Sequence, residues 1–226
     1  MPAGLYIHVP FCKSKCPYCH FYSTTEMGCA ARFIDALDRE TRGYRHRFAA
    51  FDTIYIGGGT PSLLTIADLD RILAGSPGIP IFGPAGVAAA ASGYDVTVVA
   101  PGDTVTAGPF TLSFFGGRHN VIHESIPVID NVGVLVNGAF YYPGDSYAVP
   151  GDVDVQLLAA PVGAPWLKIG EAMDFVLAVA PRRAFGTHDM TLSRAGLEMH
   201  RARLNWATAQ NGGEFVVLEP GESYEM

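Results

Sequence analysis

Two short apolar runs, Leu5-Tyr6-Ile7-His8-Val9 and Thr53-Ile54-Tyr55-Ile56, constrain the fold most. Each is too short for a helix and too continuous for a strand with one wet face, so each reads as a strand buried on both faces, as in a parallel sheet. Each run also leads into a loop of unusual composition: "CKSKCPYC" (12–19) after the first and "GGGTP" (57–61) after the second. Helical spacing follows both loops. Phe33, Leu37 and Tyr44 recur among Asp and Arg from about 30 to 48, and Leu69, Ile72 and Leu73 follow a Thr65…Asp68 pair that resembles a capping box. Residues 1–75 therefore read β-loop-α-β-loop-α. In parallel architectures, loops at the carboxyl ends of strands are where chemistry is built.

Beyond residue 76 the rhythm changes. Gly and Pro crowd into "AGSPGIPIFGP" (74–84), the nearest thing to a boundary, which divides the chain into segments 1–75 and 76–226. Residues 96–117 read as strands joined by turns, and Asn137-Gly138 between two apolar runs is a strong hairpin signal. A further strand is expected at 154–160, a helix at 168–181 with Ile169, Met173 and Val176 on one face, a helix from Ser193 to about Gln210, and a last strand at 214–219.

Charge divides the same way: the first segment carries eight Lys/Arg against seven Asp/Glu, and the second seven against fifteen. The acidic larger part argues against nucleic acid as a partner. No run approaches the ~20 apolar residues of a membrane span and no leader pattern is present, so a cytoplasmic location without membrane partners or a disulfide framework is expected.

Cys12, Cys16 and Cys19 form C-x3-C-x2-C. Three thiolates on a tight loop can hold three irons of a [4Fe–4S] cluster and leave the fourth open. On spacing alone, structural zinc with His20 or Cys29 as fourth ligand is the competing reading. The wider stretch "LYIHVPFCKSKCPYCHF" resembles the radical S-adenosylmethionine (SAM) enzymes, within them the branch of oxygen-independent coproporphyrinogen oxidases and haem chaperones, and "TIYIGGGTPSLL" resembles that branch's SAM-binding strand and turn. The resemblance implies a [4Fe–4S] cluster on the three cysteines and SAM chelating its open iron. It implies that Gly57, Gly58, Gly59 and Thr60 line the methionyl end, and that Tyr6 and the backbone around Tyr18 touch the cofactor. Reductive cleavage of SAM to a 5′-deoxyadenosyl radical is the chemistry it implies. His8 is expected to face the sheet, and Lys13 and Lys15 to sit exposed on the loop. Only two of the six or so βα units of such a barrel are legible.

From about Ile79 onward, "FFGGRHNVIHESIPVIDNVGVLV", "FYYPGDS" and "PRRAFGTHDM" resemble the C-terminal part of a metallo-β-lactamase-fold hydrolase. The resemblance implies His119, Asp145 and His188 as ligands of zinc or another divalent metal, with Asp145 the bridge and His123 the alternative to His119. The H-x-H-x-D-H motif that completes such a centre occurs nowhere in the chain. Without the resemblance, a His after Gly-Gly-Arg reads as a loop residue and Gly144-Asp145 as a turn. His200, beside Arg201 and Arg203, reads as a solvated helix position.

The expected fold is α/β: two βα units of a partial radical SAM barrel joined to the C-terminal part of a metallo-β-lactamase αβ/βα sandwich, a chimera made by recombination, engineering or an assembly error. Three functions follow from it: a cluster- and SAM-binding protein, a metal-dependent hydrolase with an incomplete site, or a fusion without activity. An active form takes a small-molecule substrate, and no single catalytic residue is assignable. Sheet edges left uncovered by missing parts invite self-association.

Overall fold

The computed structural model describes residues 3–12, 23–44, 51–58, 63–73, 80–218 and 224. The chain divides into two compact units, Met1–Ile79 and Pro80–Met226.

In the first unit, β1 (Ala3–Val9) and β2 (Phe51–Gly58) pair in parallel. Parallel neighbours need a crossover, which α1 (Ala30–Tyr44) provides; α2 (Ile66–Leu73) follows β2. Ile7, Val9, Phe11, Ile34 and Leu64 are buried together, with Phe33, Leu37, Leu69 and Ile72 packed around them. The expected α1 stripe holds at Phe33 and Leu37, but Ile34 is its buried centre, and Tyr44 in the last turn lies past the cluster and is exposed. The capping box is present at α2: Thr65 Oγ1 accepts from Asp68 N–H (3.1 Å) and Asp68 Oδ2 accepts from Thr65 N–H (3.1 Å).

The second unit opens with a small parallel pair, β3 (Ile81–Gly83) and β4 (Val96–Val98), bridged by α3 (Ala85–Ala90). The Gly/Pro-rich stretch hid β3 and α3 in the sequence, while β4 opens the run 96–117 that reads as strands. Next come β5 (Thr104–Ala107), β6 (Phe110–Arg118), β7 (Asp130–Val136) and β8 (Phe140–Tyr142), an antiparallel meander. The β7–β8 turn has Asn137 and Gly138 both left-handed, at φ +51° and +66°, as a twist-matched hairpin requires. Then β9 (Leu157–Pro161), α4 (Ile169–Val179), β10 (Arg183–Thr187), α5 (Arg194–Gln210) and β11 (Glu214–Val216) extend the same sheet in parallel from β8. The sheet order is β11-β10-β9-β8-β7-β6-β5.

All five residues of β9 are buried, as expected of a strand with both faces covered. The innermost face of α4 is Ala172, Phe175, Val176 and Val179, while the expected Ile169 and Met173 are only partly buried. Because α4 packs on both β9 and α5, its apolar surface is broader than one stripe and the buried centre is rotated from the predicted line. Ala180, at φ +49°, ends the helix before Pro181. Among the described residues no helix is long and apolar enough to cross a membrane.

One topological consequence matters for function. The strands β6, β8, β9, β10 and β11 all run the same way, so the segments that follow them emerge at one edge of the sheet.

Candidate functional site

The parallel register of the first unit sets His8 opposite Gly57 and Val9 opposite Gly58. Cysteine loop and glycine turn therefore leave the same carboxyl edge on adjacent strands. Cys12, half-buried, follows β1 by three residues, and its N–H donates to Thr24 O (3.0 Å) while Thr24 N–H donates to Pro10 O (2.8 Å). Tyr6 stands opposite Tyr55 in the register. Cys16, Tyr18, Cys19, Gly59 and Thr60 lie outside the described residues, as do His20, Lys13 and Lys15. Cys29 Sγ is 3.8 Å from Glu26 Oε2, and its side chain packs against the core of this unit.

At the carboxyl edge of the large sheet, His119 follows β6, Asp145 follows β8, Trp166 follows β9 and His188 follows β10. His119 is pinned by its own N–H to Ile129 O (3.0 Å), and Asn120 N–H donates to Asp145 O (2.8 Å). His119 Nδ1 lies 2.5 Å from Asn120 O. A carbonyl only accepts, so Nδ1 carries a proton and Nε2 is the ring nitrogen left to face the rest of the site. That Nε2 faces Asp145 Oδ1 at 3.9 Å, and His188 Nε2 faces the same oxygen at 3.6 Å. His188 has left-handed backbone, φ +60°, rare for a residue with a Cβ, and Thr191 Oγ1 donates to its carbonyl (3.2 Å).

Two residues that the sequence did not single out hold this cluster together. Asn131 accepts Asp145 N–H at Oδ1 (2.9 Å) and donates through Nδ2 to Pro143 O (2.9 Å), which fixes the Pro143-Gly144-Asp145-Ser146 loop. Trp166 Nε1 donates to Asp145 Oδ1 (3.3 Å), and its ring meets those of His119 and His188 edge-on at 6.1 and 6.3 Å. Asn131 left no local signal. Trp166, one of only two tryptophans and placed just after a strand, left a weak one. His123 is exposed and bonds within its own loop, Nδ1 to Ser125 Oγ at 2.7 Å, so His119 is the histidine beside Asp145. His200 is partly buried with Nδ1 2.7 Å from Val162 O, which corrects its reading as a merely solvated position.

Two imidazole nitrogens converging on one carboxylate oxygen are the right donor types for a divalent metal, and His119 shows the ring-nitrogen-to-carbonyl support common among ligating histidines. As they stand, however, no three His, Cys, Asp or Glu side chains among the described residues are grouped closely enough to hold an ion. A cavity of about 540 Å³ opens beside Trp166, lined also by Asn120, Val121, Ile122, Tyr147 and Lys168. Burial pushes the Tyr147 phenol above its ordinary 10, so it is a neutral hydroxyl at physiological pH.

Residues 6–112 match the model of the Radical SAM superfamily, a match that runs past the end of the first unit. The chain is 34% identical over 168 residues to Protein Rv0786c of Mycobacterium tuberculosis, covering 72% of this chain and 76% of that protein. It is 41% identical over 80 residues to the haem chaperone HemW of Synechocystis, covering 32% of this chain but only 19% of that protein. Among solved structures, Igni18, a metallo hydrolase of Ignicoccus hospitalis, superposes with a TM-score of 0.50 at 16% identity, over 69% of this chain and 71% of that one. The α/β fold expected from the sequence is thereby met, with residues 6–112 matching the Radical SAM model and the fold similar to that of Igni18.

Proposed function

Since the chain belongs to the family of Protein Rv0786c and carries a radical SAM segment, we propose that it is a cytoplasmic cluster- and SAM-binding protein, with a metallo-β-lactamase-type unit on the same chain. In this reading Cys12, Cys16 and Cys19 hold a [4Fe–4S] cluster, and residues 57–60, with Tyr6 and the backbone around Tyr18, hold SAM. The observation that carries it is the register of His8 with Gly57 and Val9 with Gly58, which supports a cysteine loop and a glycine turn acting on one ligand. Glycine permits close backbone approach to that ligand. When bound, the cluster supplies the electron for SAM cleavage, with a small molecule as substrate. This chain's own part is to position thiolates and backbone amides at the strand ends.

The test is anaerobic reconstitution with iron and sulfide, followed by metal analysis and electron paramagnetic resonance of the reduced protein. Four irons per chain, a signal that changes on adding SAM, and loss of both in Cys12→Ala, Cys16→Ala and Cys19→Ala are expected. A chain that takes up no cluster, or one indifferent to SAM, overturns the reading.

A second reading, metal-dependent hydrolysis, rests on the two Nε2 atoms that face Asp145 Oδ1. His119, Asp145 and His188 would hold one zinc or manganese ion, and Trp166 Nε1 would keep Asp145 oriented. Titration calorimetry with zinc decides it: one ion per chain, lost in His119→Ala and in His188→Ala, supports it. Binding unchanged by either substitution overturns this reading.

A further inference from the structure

Helix α5 carries an arginine in its apolar row. Leu197, Arg201, Leu204 and Thr208 follow one another at helical spacing; Leu204 and Thr208 are fully buried and Leu197 packs against the same core. A guanidinium in that row, its side chain only 14% exposed, is costly unless it is paired. Its Nη2 donates to Asp189 Oδ2 at 3.2 Å. Asp189 directly follows His188 and opens the short turn Asp189–Thr191.

The preceding helix position holds the neighbouring loop. His200 Nδ1 lies 2.7 Å from Val162 O and so donates to it, while Val162 N–H donates to Thr187 O (2.8 Å). A Cβ at Gly163 would stand 2.6 Å from Thr191 Oγ1, so the loops after β9 and β10 lie in close contact. Adjacent residues of one helix thus hold the two loops that carry Trp166 and His188. His188 has φ +60°, a conformation that a residue with a Cβ keeps only where its surroundings impose it. Thr191 Oγ1 on His188 O (3.2 Å) and Leu192 N–H on Asp189 O (3.1 Å) close the turn from within, whereas Arg201 ties it to a helix rooted in the core.

From this geometry we infer that Arg201 is a positioning residue: through Asp189 it fixes the backbone that aims His188 Nε2 at Asp145 Oδ1 (3.6 Å). The inference deepens, and rests on, the reading of His119, Asp145 and His188 as holders of a divalent metal. Its consequence is that affinity at that centre depends on an ion pair outside it.

The experiment has two arms, both on the full chain. In the metal-free protein, NMR follows cross-relaxation between the Trp166 indole and the two imidazoles, whose ring centres lie 6.1 Å (His119) and 6.3 Å (His188) away. Arg201→Gln and Asp189→Asn are each expected to lose the His188 contact and keep that of His119, a selective loss that general destabilisation would not produce. Titration calorimetry with zinc then reads affinity. Each variant is expected to bind roughly tenfold more weakly, and the double variant no more weakly than either single one, since both substitutions remove one pair. Asp189→Asn is nearly isosteric and carries the test if Arg201→Gln fails to fold.

A His188 contact that survives in both variants, or one lost together with that of His119, overturns the assignment, as does zinc affinity equal to the wild type in both. If the wild type itself binds no zinc, the metal reading fails and the indole–imidazole contacts alone decide the positioning role.

Discussion

Gly144 has φ +65°, and a Cβ there would run into the side-chain amide of Asn131. Position 144 is therefore held to glycine twice over, by backbone conformation and by space. Gly144→Ala is expected to cost about 1–3 kcal/mol, read as a lower urea midpoint at unchanged slope. Asn131→Ala strips the partner from Asp145 N–H and leaves Pro143 O with Ser146 Oγ as its remaining donor (3.1 Å), and leaving the amide unpaired costs about 1–3 kcal/mol. The same variant is expected to weaken any metal binding at Asp145, a joint loss that calorimetry and denaturation on one sample will show. At this scale legibility was uneven. His119, Asp145 and His188 were named only through the resemblance of the stretches around them to a metallo-β-lactamase-fold hydrolase; by local pattern alone His119 reads as a loop residue and Asp145 as part of a turn. Asn131 was invisible because its partners lie twelve to fourteen residues away across a hairpin, which no local pattern encodes.

Elements were easier to foresee, since caps and turns are local. Ser193, where the sequence places the start of a helix, is its N-cap and accepts Gly196 N–H at 3.2 Å, and Ser193→Ala is expected to lower stability by ~1 kcal/mol. The rotated face of α4 was harder: a helix apolar on most sides does not announce which side its neighbours cover. Just beyond the same helix, Arg182 grips Asp154 through Nε (3.1 Å) and Nη2 (2.5 Å), and this hydrogen-bonded guanidinium holds the Asp154 carboxyl below its ordinary 3.8. A carboxylate with a depressed folded-state pKa adds stability that is full above its unfolded value and fades as pH falls through the folded one. Acid titration followed by NMR is therefore expected to show Asp154 ionising below the ordinary carboxylate range. In Arg182→Ala it returns to that range.

At the scale of the whole molecule, the seven-stranded sheet and the larger core belong to residues 80–226 alone. A fragment of residues 80–226 is expected to melt cooperatively on its own, and Cys12→Ala in the full chain to leave that transition unmoved, both followed by near-ultraviolet circular dichroism. The change of architecture was legible because buried-strand runs and helical periodicity give way to hairpin chemistry. The short β3 and α3 were not, because glycine and proline at 74–84 read as punctuation rather than as the approach to a strand, whereas β4 falls within the run 96–117 that does read as strands. The common carboxyl edge needed the strand order, which depends on contacts remote in sequence.

That edge also bears on how the second unit folds. His119, Asp145 and His188 come from three well-separated segments, and their meeting requires a closed hairpin, a parallel β8–β9 pairing and a completed crossover through α4. Nonlocal pairings of this kind form slowly relative to turns and helices. The imidazole resonances of the two histidines should therefore take their native positions only in the last kinetic phase of refolding, after far-ultraviolet signals have recovered, which makes the cluster a built-in clock for completion of the sheet.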